Sequence, residues 1–577
     1  MPEWLARRAL DRPTALAVID VAAGIRWTFA ELDSQATAIA CHLGQLGIGP
    51  GDRVAVMLPN GAQYVALIHA LTRLGAVLIP LNLRLTPGEI AWQLAFARAR
   101  ALIHDGTTEA QARAAVAAPV EGPLISLERN PVGTFARGTT PPGSASVPLV
   151  PVAAIYGDER DTRAPSAQRP ANLGQFANTI ERVTAPNSTP RPSEPPRLDL
   201  DAVQCVMFTS GTTGRPKGVL LTYGNHWWSA MGSVLNLGLR DDDRWLVCLP
   251  LFHVGGLAIV MRGVIYGIPL VFPPVSRAGR GFDAAAVSEI MASERVSLVS
   301  VVTVMLQRLL AHWGEGQHPG ALRCALLGGG PVPLAVLEAC AGRGLPVAQS
   351  FGMTETTSQV AALSPAEALR KLGSAGRPLL PNEIAIRSLD DQRTTGGSPE
   401  MLEGEILVRG PSVTPGYLAA DGDLGRTLPA VDEHGWLRTG DIGRIDQEGY
   451  LYVLDRRADL IITGGENVSP AEVEAVLLSH PGIAEVGVYG VPDPQWGQRV
   501  AAALVARPGV VLEPEETRDF CRTRLAGYKI PSQITMVEAL PRNAAGKLLR
   551  RLLRDNSSSV ADPNPTTSGS GGPLASE

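Results

Sequence analysis

Cysteine is scarce in this 577-residue chain: six residues, Cys41, Cys205, Cys248, Cys324, Cys340 and Cys521, with no C-x-x-C pair among them. Such scatter argues against a disulfide framework or a structural zinc site and suits a reducing compartment. Long apolar runs are missing as well. The best candidate, at 66–80, is cut by His69, Arg73 and Gly75, and a membrane helix needs about 20 apolar residues in succession. The first residues, MPEWLARRALDRPTALAVID, form an amphipathic pattern with charges throughout, which is not that of a signal peptide. Basic charge is not in excess: 51 Lys and Arg face 56 Asp and Glu, a net charge of −5. A sequence-independent nucleic-acid binder would need a basic stripe. No repeat recurs at a constant period. These absences point to a soluble, cytoplasmic protein with small-molecule partners. Neither nucleic acid nor membrane insertion is expected, and homo-oligomerisation is left open.

Hydrophobic residues make up 45% and charged residues 19%, enough to bury a large core and too apolar for wholesale disorder. At roughly 150 residues per domain, the length suggests three to four folding units. Proline is plentiful and uneven: 12 of 47 fall within residues 131–200. There it sits among Ser, Thr, Ala and Arg without apolar periodicity, removing backbone donors and blocking helix. Residues 131–200 therefore read as a flexible insertion, and the Ser/Gly/Pro-rich 556–577 as a disordered tail.

Elsewhere the pattern alternates. TFAELDSQATAIACHLGQLGI has apolar residues at helical spacing and ends at glycine; DRVAVMLPN is a short strand; AQYVALIHALTRLGAVLIPLN reads helix, glycine, strand. The alternation resumes after Leu198 and runs to about Val336, implying βαβ units and mainly parallel sheets. From Glu403 short strands with Gly and Asp turns suggest an antiparallel meander or small barrel. After Asp459 the order helix, strand, strand, helix fits a compact α+β unit of about 100 residues. The expected α/β architecture is a large N-terminal body, 1–456, of stacked mixed sheets with helices and a small antiparallel barrel-like subdomain. A small mobile C-terminal α+β cap, 457–555, follows.

The most informative stretch is TSGTTGRPKG (209–218), directly after an apolar strand. Thr209, Ser210, Gly211, Thr212, Thr213 and Gly214 can turn amides and hydroxyls onto an anion, and Lys217 adds a point charge. A Walker A loop is excluded, because Pro216 and Gly218 stand where Gly and Ser/Thr would be required.

This loop resembles the phosphate loop of the adenylate-forming superfamily, which includes acyl- and aryl-CoA synthetases, peptide-synthetase adenylation domains and firefly luciferase. Further resemblances follow in that superfamily's order. SFGMTET (350–356), with Gly352, Met353, Thr354 and Glu355, is similar to the segment that meets adenine and the α-phosphate. TGD (439–441) resembles the ribose-binding turn, LDRRADLIITGGENVSP (454–470) the hinge and its following loop, and PRNAAGK (541–547) the segment bearing the catalytic lysine. The resemblance implies ATP, Mg2+ and coenzyme A, with Glu355 as metal ligand, Thr354 on the α-phosphate, Asp441 and Arg456 on the ribose, and Lys547 catalytic. Ala458 falls at the hinge, where the superfamily often carries Asp, Lys or Ser; Gly464 and Gly465 would face the CoA side. His253 resembles the aromatic gate between the ATP and CoA routes.

Between these motifs, TYGNHWWSAMGSVLNLGL, LPLFHVGGLAIVMRGVIYG and LLGGGPVP resemble the branch of the superfamily that activates o-succinylbenzoate for menaquinone biosynthesis. That substrate is a dianion, and a second carboxylate in an apolar pocket needs a cation or hydrogen bonds. Arg262, alone in an apolar stretch, is the candidate cation, with Thr303 and the backbone of Gly328, Gly329 and Gly330 as further donors. Two other readings stand beside this one: an acyl- or aryl-CoA synthetase acting on a monocarboxylic acid, and a catalytically silent nucleotide-binding relative. Glu355, Asp441 and Lys547 argue against the silent relative.

Overall fold

A computed structural model describes residues 1–116, 124–126, 197–209, 216–274, 282–316, 318–329, 332–388, 403–419, 422, 424, 427–456, 459, 461–463, 466–468, 470–493, 496–522, 524–525, 527–542 and 548–557. The expected insertion lies outside them except for 197–200, and the expected tail except for 556–557, which continue the helix Arg550–Ser557. Also outside are Ser210, Gly211, Thr212, Thr213, Gly214, Gly330, Ala458, Gly464, Gly465 and Lys547, together with the side chain of Arg456. The chain divides into two compact units, Met1–Val453 and Leu454–Glu577.

Local signals set the helices. Thr28 caps the helix Phe29–Gln45 with a reciprocal Thr28–Glu31 capping box, which satisfies two orphan backbone donors. The helix Ala62–Leu74 stops at Gly75, which takes the left-handed conformation (φ +67°), and the chain turns directly into the strand Val77–Pro80. Ten of that helix's 13 residues are buried, as befits a helix that is apolar all round.

In the first unit, two large mixed sheets sandwich such helices. The nine-stranded sheet runs in the order Arg377–Pro378, Ser358–Ala362, Val347–Met353, Cys324–Leu327, Leu298–Val301, Trp245–Leu246, Leu270–Phe272, Leu16–Asp20, Ile25–Thr28. Its middle is parallel and both flanks are antiparallel. The eight-stranded sheet runs Thr427–Leu428, Tyr417–Leu418, Lys217–Thr222, Val203–Thr209, Val77–Pro80, Arg53–Met57, Ala101–His104, Leu124–Ser126. One core joins Trp245 and Leu270 of the first sheet to Val54, Leu78 and Leu221 of the second through the helices Phe29–Gln45, Ala62–Leu74, Tyr223–Leu237 and Val254–Tyr266. Separate apolar clusters cover each sheet's outer face with further helices.

A third, four-stranded antiparallel sheet follows chain order: Glu383–Ser388, Gly404–Arg409, Leu437–Ile445, Leu451–Arg456. It begins 20 residues earlier than the texture change at Glu403 suggested, with Glu383–Ser388 pairing along Gly404–Arg409. Between its second and third strands the chain leaves to add Tyr417–Leu418 and Thr427–Leu428 to the eight-stranded sheet. The second unit is α+β: a five-stranded sheet whose apolar face packs Val486, Val488, Val500 and Leu504 against Val473, Leu477 and Cys521 of its helices. No helix among the described residues is long and apolar enough to cross a membrane.

Candidate active site

The parallel strands Trp245–Leu246, Leu298–Val301, Cys324–Leu327 and Val347–Met353 lie side by side. Ligands of such sheets bind outside the carboxyl ends of the strands. At or beyond those ends stand residues singled out by sequence: His253, Thr303, Gly328, Gly329, Gly352 and Met353 closing the last strand, and Thr354 and Glu355 after it. Thr303 opens the helix Thr303–Trp313. Gly328 is packed so closely that a Cβ there would sit 3.0 Å from Ser350 Oγ, and Gly329 has φ +86°.

Thr354 and Glu355 occupy a short 3-10 turn, Thr354–Thr356. Met353 N–H donates to Thr356 Oγ1 (2.9 Å), and Thr357 N–H donates to Thr354 O (3.1 Å). Thr357 (φ +52°) and Ser358 (φ +88°) are non-glycine residues in the left-handed region, at a cost of order 1–3 kcal/mol each that the surrounding contacts must over-determine. Those contacts are explicit: Thr357 Oγ1 donates to Ser412 O (2.8 Å), and Ser229 Oγ donates to Thr357 O (2.7 Å).

The phosphate-loop sequence joins two antiparallel strands, Val203–Thr209 and Lys217–Thr222, with Thr209 and Lys217 in register as cross-strand partners. Lys217 is therefore the first residue of a strand and not part of a free loop. Its Nζ stands 5.0 Å from the centroid of the Tyr417 ring. Tyr417 OH in turn donates to Glu355 Oε1 (3.2 Å). Burial and the neighbouring carboxylate push that phenol above its ordinary range. Tyr417 was not legible as a site residue, because only strand pairing across some 200 residues of chain brings it to Lys217.

Asp441 lies in the four-stranded sheet, at an irregularity. Register moves from Glu405↔Ile442 to Leu407↔Arg438, and Gly440 absorbs the extra length with φ +71°. Thr439 Oγ1 donates to Ile406 O (2.7 Å) and accepts from Asp441 N–H (3.0 Å), fixing the turn. Ile406 packs in one cluster with Phe351, and Met353 lies against it. The TGD turn and the SFGMTE segment are thus held by a common core.

Arg262 is 2% exposed in the middle of the helix Val254–Tyr266. Its Nη2 donates to Ser229 Oγ (3.2 Å), the guanidinium lies 5.7 Å from the Trp245 ring centroid, and Nε has no partner. Among the described residues no carboxylate pairs with it. Burial lowers its proton affinity, and a lone buried cation costs several kcal/mol. Beside it both ring nitrogens of His226 are buried without a partner, and burial, with Arg262, pulls that histidine down to about 3. Through Ser229, Arg262 is two hydrogen bonds from Thr357, hence from the Glu355 turn. His253 precedes the same helix; its Nε2 lacks a partner, and burial followed by Arg84 lowers it to about 4. Ser229 and His226 were missed in the sequence, although unpartnered polar groups on a buried helix face are a strong structural signal.

The profile of the AMP-binding enzyme family matches residues 5–418, and that of the AMP-binding enzyme C-terminal domain matches 472–547. The chain belongs to the AMP-binding enzyme family. It is 43% identical to the 2-succinylbenzoate–CoA ligase of Geobacillus kaustophilus, over 96% of this chain and 97% of that one. It is 38% identical to the o-succinylbenzoate CoA synthetase of Bacillus subtilis solved with the acyl-adenylate intermediate, with a TM-score of 0.76 over 96% and 98% of the two chains. A Mycobacterium tuberculosis fatty acyl CoA synthetase matches at 31% identity and TM-score 0.66, over 96% and 98% of the chains.

Proposed function

We propose that this chain is a 2-succinylbenzoate–CoA ligase that consumes ATP with Mg2+ and releases AMP and pyrophosphate. In the first step an oxygen of the succinyl carboxylate attacks the α-phosphorus of ATP. The bond to the β-phosphate oxygen breaks, pyrophosphate leaves, and an acyl-adenylate remains. In the second step the sulfur of coenzyme A attacks the acyl carbon, AMP leaves with its bonding electrons, and the thiol proton passes to solvent. A carboxylate is a poor electrophile, and adenylation supplies the leaving group. Catalysis is then positioning and electrostatic stabilisation of crowded negative charge.

Glu355 fits a magnesium site: it offers hard oxygen, and among the described residues no Lys or Arg pairs with it. Magnesium bound there would neutralise charge on the phosphates. Thr209 to Gly214 with Lys217 would cradle those phosphates, Thr354 would donate to the α-phosphate, and Asp441 with Arg456 would hold the ribose. Lys547 would bridge the attacking carboxylate and the α-phosphate. Rotation about Ala458, bringing Gly464 and Gly465 to the CoA route past His253, belongs to the same proposal, as do the cap 457–555 and a cytoplasmic setting.

The observation that carries the choice of acid is Arg262, a buried guanidinium that no carboxylate among the described residues pairs with, beside unpartnered His226. A dianionic substrate leaves one carboxylate to be met there, with Thr303 and Gly328 to Gly330 as further donors. Purified protein given ATP, Mg2+, coenzyme A and o-succinylbenzoate should release AMP and pyrophosphate in equal amounts. Formation of ADP, or equal turnover of fatty and benzoic acids, would overturn the assignment.

A further inference from the structure

Tyr417 stands between the phosphate-loop strand and the Glu355 turn, and its side chain contacts both Lys217 and Glu355. It pairs with Val219, two residues along the strand from Lys217, so its ring is a diagonal neighbour of the lysine on the same face of the sheet. Thr414, three residues earlier, donates its N–H to Glu355 O (2.8 Å), and its hydroxyl donates to Leu220 O. One four-residue segment, 414–417, thus grips both the lysine's strand and the glutamate's turn.

We propose that Tyr417 is a positioning residue that keeps Lys217 and Glu355 separately available to magnesium–triphosphate. It stands between cation and carboxylate and gives each a partner in place of the other. The proposal rests on the ligase reading above. Lys217 meets the π-face at 5.0 Å and Glu355 meets the hydroxyl at 3.2 Å. Both contacts are long, and each carries one formal charge where a direct lysine–glutamate pair would carry two, so an incoming triphosphate and its cation can displace them easily. A phenol has a single proton to donate, which leaves the second carboxylate oxygen of Glu355 for a metal. Without the ring, a flexible lysine and a half-buried glutamate would neutralise each other, and phosphate and metal would each have to break that pair.

The test is calorimetric binding of ATP, in EDTA and again with Mg2+, to the full-length protein. Y417L should weaken metal-free ATP binding roughly fivefold, the scale of one exposed ion pair, and E355Q in that background should restore it by releasing Lys217. Y417F keeps the ring over Lys217. It should leave metal-free binding unchanged while lowering the ratio of Mg2+-ATP to ATP affinity about two- to fivefold. Unchanged ATP binding in Y417L, or no restoration by E355Q, overturns the proposal. If Y417L does not fold, Y417F decides alone: an unchanged ratio overturns it. Wild-type protein that binds neither form of ATP overturns the ligase reading itself.

Discussion

At the scale of single residues, two cations separate the ligase reading from its neighbours. If Arg262 meets the second carboxylate as proposed, truncating it to alanine removes a charge-assisted contact of the order of 1.5–3 kcal/mol. The kcat/KM for o-succinylbenzoate should therefore fall roughly 10- to 100-fold. For 4-oxo-4-phenylbutanoate, which lacks the ring carboxylate, it should barely change; equal losses on both acids would place Arg262 in the scaffold only. Lys547→Ala should lower pyrophosphate-exchange activity by about two to three orders of magnitude, the range seen when one transition-state donor is deleted. ATP affinity in the same variant should stay within a few-fold. Both residues were visible in the sequence, one as a charge in an apolar run and the other through its motif. Ser229 and Tyr417 were not, since a serine on a helix and a tyrosine in a short strand carry no mark of their neighbours. Their meaning comes from hydrogen bonds that span more than 60 residues of chain.

At the scale of elements, close backbone approach matters more than composition. A Cβ on Gly352 would lie 1.6 Å from Ser358 O, on the facing strand of the pair Val347–Met353 and Ser358–Ala362. Gly352→Ala must part those strands next to Glu355, so we expect at least 3 kcal/mol of destabilisation, read as a lower thermal midpoint together with lost adenylation. A folded, active alanine variant would contradict the packing. The helices Phe29–Gln45 and Ala62–Leu74 were legible from capping and periodicity. Glu383–Ser388 was not, because it is a short edge strand whose alternating Ile384 and Ile386 are only half-buried. Lys217 read as a loop residue because it closes the Gly-, Thr- and Ser-rich run 209–218, yet pairing with Thr209 places it in a strand.

At the scale of the whole molecule, buried histidines set a pH limit. Burial holds His69 and His226 near 3 and His253 near 4, below the ordinary 6.5. The unfolded chain binds those protons first, so stability is complete above about pH 6.5 and declines as pH falls toward 4. The slope is at most about 1.4 kcal/mol per pH unit for each histidine. Thermal midpoints measured from pH 7.5 to 4.5 should trace this decline, and H69Q should make it shallower; an unaltered slope would remove His69 from the account. The α/β layers and the small second unit could be expected from alternating periods. The passage of the chain from the four-stranded sheet to the edge of the eight-stranded sheet and back could not, since short strands such as Tyr417–Leu418 are only defined by the edge they join. That passage has a consequence for gene recombination. A chimera with its crossover between residues 410 and 414 would divide the four-stranded sheet between two parents and part Thr414 and Tyr417 from the strand Lys217–Thr222 they pack against. Crossovers that keep 217–222 and 414–428 from one parent preserve the joint and the Tyr417–Glu355 contact.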